Sequence, residues 1–118
     1  MEFTPFERAA LQALLGVDDD STRILRLQVG KASVVSREYT GAGFFTEIAV
    51  SADCEVLLGK PSFMRNSVVC GINGIPDFGG VLLFINEGII DCLEAYTFGE
   101  VNWPTSIQDF SCRRDGFQ

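Results

Sequence analysis

Two carboxylates, Asp91 and Glu94, stand inside an otherwise apolar segment, Ile89-Ile90-Asp91-Cys92-Leu93-Glu94-Ala95-Tyr96. A carboxylate taken out of water must be paired, hydrogen-bonded or protonated. Side chains alternate faces along a strand, so this spacing predicts one acid on each face of the ribbon, among apolar neighbours. Glu94, between Cys92 and Tyr96, is the odder of the two. It either meets an arginine or a tyrosine hydroxyl that fixes the packing, or it lines a pocket or interface.

Paired carboxylates can work as acid and base in the manner of glycosidases, and Glu38, Glu47, Asp91, Glu94 and Glu100 are candidates. A chain with 16 acids offers such pairs by chance, so the pairing says little alone. There is no histidine. That removes the usual general base, Ser-His-Asp and Cys-His hydrolysis, and histidine-ligated catalytic metals. Tyr39, Tyr96 and Trp103 could form an aromatic wall for a ligand, although core and edge packing is the plainer use of them. The site expected from the sequence is therefore a binding site of Tyr39, Asp91, Glu94, Tyr96, Glu100 and Trp103, with no catalytic residue, metal or cofactor.

The formal charge is −7. That opposes nucleic acid, whose phosphates need a basic face, and opposes an anionic membrane surface. It suits a basic protein partner. The four cysteines, Cys54, Cys70, Cys92 and Cys112, contain no CxxC pair, and their spacing does not fit a zinc site. They read as reduced. The sequence starts without a secretory signal and has no apolar run of membrane-spanning length, so the expected location is the cytoplasm.

The elements that position these residues follow from local patterns. A length of 118 residues predicts one domain over 1–118. Met1 to Gly16 is the expected helix: Thr4 can cap it, Pro5 begins it, Glu7 completes a capping box, and Phe6, Ala10 and Leu14 recur on one face. Asp18-Asp19-Asp20 lacks the spacing of a calcium loop and reads as a solvated link. Thr22 to Val29 alternates and reads as a half-buried strand. Ala32 to Thr40 reads as a strand, as does Phe44 to Val50. Gly41-Ala42-Gly43 fails as a nucleotide fingerprint, because Thr46 stands where the third glycine should and a strand follows instead of a helix. Glycines there leave room for a bulky neighbour, Tyr96 or Trp103. Cys54 to Leu58 is expected as a short strand ended by Gly59-Lys60-Pro61. The apolar run Val81 to Ile85 and the segment Ile89 to Phe98 form the central hairpin, turned by Asn86-Glu87-Gly88 as a three-residue loop with a bulge. The tail from Thr105 offers Ile107, Phe110 and Phe117 as anchors.

Arg37-Glu38-Tyr39-Thr40-Gly41-Ala42-Gly43-Phe44-Phe45-Thr46 carries a pattern R-E-Y-T-G-x-G-F-F-T. Gly80, Leu83, Phe84, Gly88, Asp91, Leu93, Glu94, Tyr96, Thr97, Glu100, Trp103 and Pro104 carry a second. On these motifs the chain resembles a family of small bacterial proteins of unknown function. The resemblance implies a bacterial cytosolic protein, and the family in turn resembles immunity proteins, which neutralise toxins.

The expected fold is α+β, with an N-terminal helix packed on a single antiparallel sheet of about five or six strands. The expected function is non-enzymatic binding, in its sharpest form immunity-like inhibition of a basic protein toxin. The alternatives are a small carboxylate-dependent hydrolase or isomerase, and a homodimer joined through an apolar sheet face.

Overall fold

A computed structural model describes residues 1–59 and 62–114. The anticipated turn at Lys60-Pro61 and the anchor Phe117 lie outside the described residues.

Helix α1 spans Pro5–Leu14. The Thr4 hydroxyl accepts from the Glu7 amide at 3.1 Å, and the Glu7 Oε1 accepts from the Thr4 amide at 2.8 Å. This reciprocal pair is the capping box, and it satisfies two amides that a bare helix start would leave open. Helix α2 spans Asp20–Val29. Asp19 caps it, its Oδ1 accepting from the Thr22 amide at 2.7 Å. Arg26 then ties the two helices together by donating to the carbonyls of Leu15 and Val17, each at 2.9 Å.

Six antiparallel strands follow: β1 Ala32–Tyr39, β2 Gly43–Val50, β3 Phe63–Ile72, β4 Ile75–Asn86, β5 Ile89–Thr97 and β6 Ser111–Arg114. Their order across the sheet is β1-β2-β5-β4-β3-β6. Two tight hairpins turn on Asn73-Gly74 and Glu87-Gly88, with both central residues of each at positive φ. That is the backbone of a two-residue hairpin turn matched to strand twist. The second turn is thus one residue shorter than the loop expected at Asn86-Glu87-Gly88, since Asn86 pairs directly with Ile89.

The expected α+β fold with one N-terminal helix does not hold. The chain is mostly sheet, with two short helices, and residues 20–29 are helix where a strand was expected. Leu25 and the polar side chains of Thr22 and Gln28 are buried on one helical face. Cys54 to Leu58 is not a strand either. It crosses the end of the β4–β5 hairpin, where the Leu57 amide donates to the Gly88 carbonyl at 3.0 Å.

The core lies between the helices and one face of the sheet. Phe6 of α1 touches Phe44 of β2 and Phe110, just before β6, with ring centroids 6.4 and 5.6 Å away. Phe6 therefore packs between β2 and the segment that leads into β6. Trp103 stands in the same cluster against Phe6, Phe44 and Phe78. Among the described residues, no helix is long and apolar enough to cross a membrane.

Gln28 pins α2 to the central hairpin. It is fully buried, donates to the carbonyls of Glu55 and Gly88 at 3.0 and 2.9 Å, and accepts from the Ile90 amide at 2.9 Å. Replacing it with leucine keeps the bulk but leaves the Ile90 amide buried without its acceptor. Gln28→Leu is expected to lower stability by about 2–4 kcal/mol, read as the shift in a urea unfolding curve. A change within error would show that water or a backbone shift replaces these bonds.

Candidate functional site

The acids of β5 do not divide between the two faces. Phe84 pairs with Cys92 and Ile85 pairs with Ile90, so Asp91 is an extra residue with no partner opposite. A bulge of this kind resets the alternation. Ile90, Leu93, Ala95 and Thr97 are buried, whereas Asp91 is exposed and Cys92, Glu94 and Tyr96 are half-buried. The face prediction of one acid per side is therefore corrected: Asp91 and Glu94 both lie on the face turned away from the helices.

The register assembles the rest of that face in rows. Glu38, Phe45, Glu94 and Leu82 stand side by side across β1, β2, β5 and β4. The neighbouring row is Ser36, Glu47, Cys92, Phe84 and Met64. The acids fall on the β1–β2–β5 half and the apolar side chains mostly on the β4–β3 half. Phe45 is 36% exposed and Met64 46%. Met64, Phe84, Asp91 and Cys92 border a shallow hollow of about 550 Å³.

Electrostatics mark the same cluster. Burial, then the charges of Asp91, Glu94 and Glu47, push the Cys92 thiol up to about 11. Partial burial raises the Glu94 carboxyl above its ordinary value. Among the described residues, the Glu94 side chain makes no hydrogen bond or ion pair. Tyr96 pairs with Gly43 on one side and Gly80 on the other. Its ring lies over Gly80, where a Cβ would come within 2.6 Å of the hydroxyl. The space expected at Gly41 and Gly43 is not what the ring uses: a side chain on Gly43 would meet the Ala95 backbone, one on Gly41 would meet nothing, and the Tyr96 ring lies over Gly80 instead.

The other expected site residues are elsewhere. Tyr39, 67% exposed, and Trp103 border a separate concavity with Gly41, Gly43, Pro104 and Thr105. Trp103 is itself buried, its amide donating to the Gly41 carbonyl at 2.7 Å, and it serves the core. Glu100 is exposed in the bend after β5. The sequence placed Phe45, Leu82 and Phe84 in expected strands but gave them no role at a site, and it did not single out Met64. The signal that could have exposed them is the alternation of Phe45 and Glu47 against Phe44, Thr46 and Ile48.

A compensated buried carboxylate does exist, and it is Glu7. Its side chain is fully buried. Arg37 donates twice, Nε to Oε2 at 2.8 Å and Nη2 to Oε1 at 2.7 Å, and the Thr46 hydroxyl donates to Oε2 at 2.5 Å. With the Thr4 amide on Oε1, each oxygen holds two donors. Burial works against the charge, but the bonds from Arg37, Thr46 and Thr4 outweigh it and hold the carboxyl below its usual range. A carboxylate so saturated has no lone pair left for a reacting proton, so Glu7 is a structural clamp.

Among the described residues, no group of three or more histidine, cysteine or acidic side chains could hold a metal ion. Comparison with known proteins gives no match: no protein-family model fits the chain, and neither a curated protein nor a solved structure is similar to it.

Arg37→Met strands the Glu7 carboxylate and is expected to cost about 3–5 kcal/mol at neutral pH, with Glu7→Leu added to it recovering a large part. The sign with pH follows from the lowered carboxyl. The clamp's contribution is fully present above the unfolded carboxyl value and is lost as pH falls through the folded one. Urea curves at several pH values check this. A wild-type advantage that grows on acidification would contradict it.

Proposed function

We propose that this is a binding protein, and that the sheet face turned away from the helices receives a protein partner presenting cationic side chains among apolar ones. The single observation that carries this reading is the row Glu38, Phe45, Glu94, Leu82 on an uncovered sheet. Glu94 is partly desolvated and has no cation of its own among the described residues. A lysine or arginine from outside would supply one, and a charge-assisted bond in a half-dry setting is stronger than the same bond in water. The apolar half beside it offers area for a partner's aliphatic or aromatic groups, and the acids speed the approach of a positively charged molecule.

The narrower form is immunity-like inhibition of a basic protein toxin in the bacterial cytoplasm. The motif resemblance supports it, as does the net charge of −7. Self-association through this face is disfavoured, because two copies would set acid against acid. Carboxylate-dependent hydrolysis or isomerisation is the weaker reading. Glu47, Asp91 and Glu94 share a face, but the hollow on it is shallow and open to water, without the enclosing walls that such chemistry uses.

A probe peptide of alternating lysine and leucine, titrated into isotope-labelled protein, tests the reading. Amide shifts are expected along β2, β5 and β4. Glu47→Gln with Glu94→Gln is expected to weaken binding about tenfold or more, by the usual cost of losing a charged pair, while the urea midpoint stays put. Affinity should also fall on acidification, since Glu94 loses its charge as pH drops through its raised value. Shifts confined to the helices, or equal affinity in the doubly substituted protein, would overturn the proposal.

A further inference from the structure

Cys70 and Cys112 stand directly opposite each other in the antiparallel pairing of β3 with β6. Opposed residues share a face, and Cys70 is fully buried while Cys112 is half-buried against the same core. Opposed Cα atoms in an antiparallel pair are about 4.5 or 5.5 Å apart, depending on the type of pair. Both spacings fall within the roughly 4.4–6.8 Å that a disulfide spans. On its other side Cys70 pairs with Gly79, which brings no side chain into the gap. The remaining cysteines have no such arrangement. Cys92 sits on the opposite face between Glu47 and Phe84, and Cys54 lies in the segment before β3 that forms no strand.

We propose that Cys70 and Cys112 are an intramolecular disulfide site, closed by exchange with a small-molecule disulfide of the glutathione class. The chemistry balances without another oxidant. The Cys112 thiolate, at the sheet edge and the more accessible of the two, attacks one sulfur of the small disulfide and expels one thiolate. The Cys70 thiolate then attacks the Cys112 sulfur of the mixed disulfide and expels the second. Two protein thiols and one small disulfide become one protein disulfide and two small thiols.

Both thiols are free in this structure. Burial pushes Cys70 up to about 11, and burial with the neighbouring Cys70 charge pushes Cys112 up to about 12. Little thiolate is present near neutrality, so the pair closes slowly at rest and faster in alkaline buffer or when the edge strand lifts. The mechanical effect is local. Among the described residues, strand β6 has four residues and one strand neighbour, β3. A covalent link across that ladder holds β6 on the sheet and closes a long loop, which removes freedom from the unfolded state.

The test incubates the full native chain with oxidised glutathione in mildly alkaline buffer, without denaturant, followed by intact mass, peptide mapping and thermal unfolding. The expected result is loss of two hydrogen atoms, a single cross-linked peptide joining Cys70 to Cys112, and a melting midpoint several degrees higher that dithiothreitol returns to the starting value. Cys112→Ser, at a half-buried edge position, should neither close nor gain stability under the same treatment. A glutathione adduct that persists on Cys112, cross-links distributed to Cys54 or Cys92, or closure only after urea is added would each overturn the proposal.

Discussion

One buried ion pair holds this molecule in its arrangement. Glu7 lies in the first turn of α1, Arg37 in β1 and Thr46 in β2, and the three meet where the carboxylate itself is out of reach of water. A charge there is tolerated only because every lone pair is occupied. The requirement is geometric. Moving α1 along the sheet, or slipping β1 against β2 by one residue, would strand the carboxylate. The clamp thus sets where the helix lies and reinforces the register in which Arg37 faces Thr46.

What the clamp leaves uncovered follows from that. Both helices are committed to the inner face, α1 through Glu7 and the ring cluster around Phe6, α2 through Gln28 and the hairpin turn. Both helices leave the outer face of the central strands open, and among the described residues Phe45 and Met64 stand exposed there. The bulge at Asp91 then turns both acids of β5 to that side, beside Glu38 and Glu47. One extra residue in one strand therefore decides whether the sheet carries an acid inside or presents a graded surface, acidic at one side and apolar at the other.

Much of the fold was legible where the signal is local. The cap of α1 was readable from Thr4, Pro5 and Glu7, and the turn at Gly88 from residue type. The second helix was not. Its buried face includes Thr22 and Gln28, so the apolar period that marks a helix is broken by two polar residues, and Asp19 was hidden as a cap within a run of aspartates. The site was legible in principle and misplaced in detail. The rule that a buried carboxylate needs compensation is obeyed here, but by Glu7, whose side-chain partners Arg37 and Thr46 are 30 and 39 residues away. No local pattern reveals that. The bulge is equally hidden, because it exists only relative to the register of Phe84 and Ile85 on the neighbouring strand.

The most direct measurement is a titration of the Glu7 side-chain carboxyl by carbon NMR in the folded protein. This account predicts a midpoint clearly below that of an ordinary exposed glutamate, with the resonance showing an ionised group down to the pH at which the protein unfolds. A midpoint at or above the ordinary value would mean that the carboxylate is not held by Arg37 and Thr46, and the arrangement described here would lose its anchor.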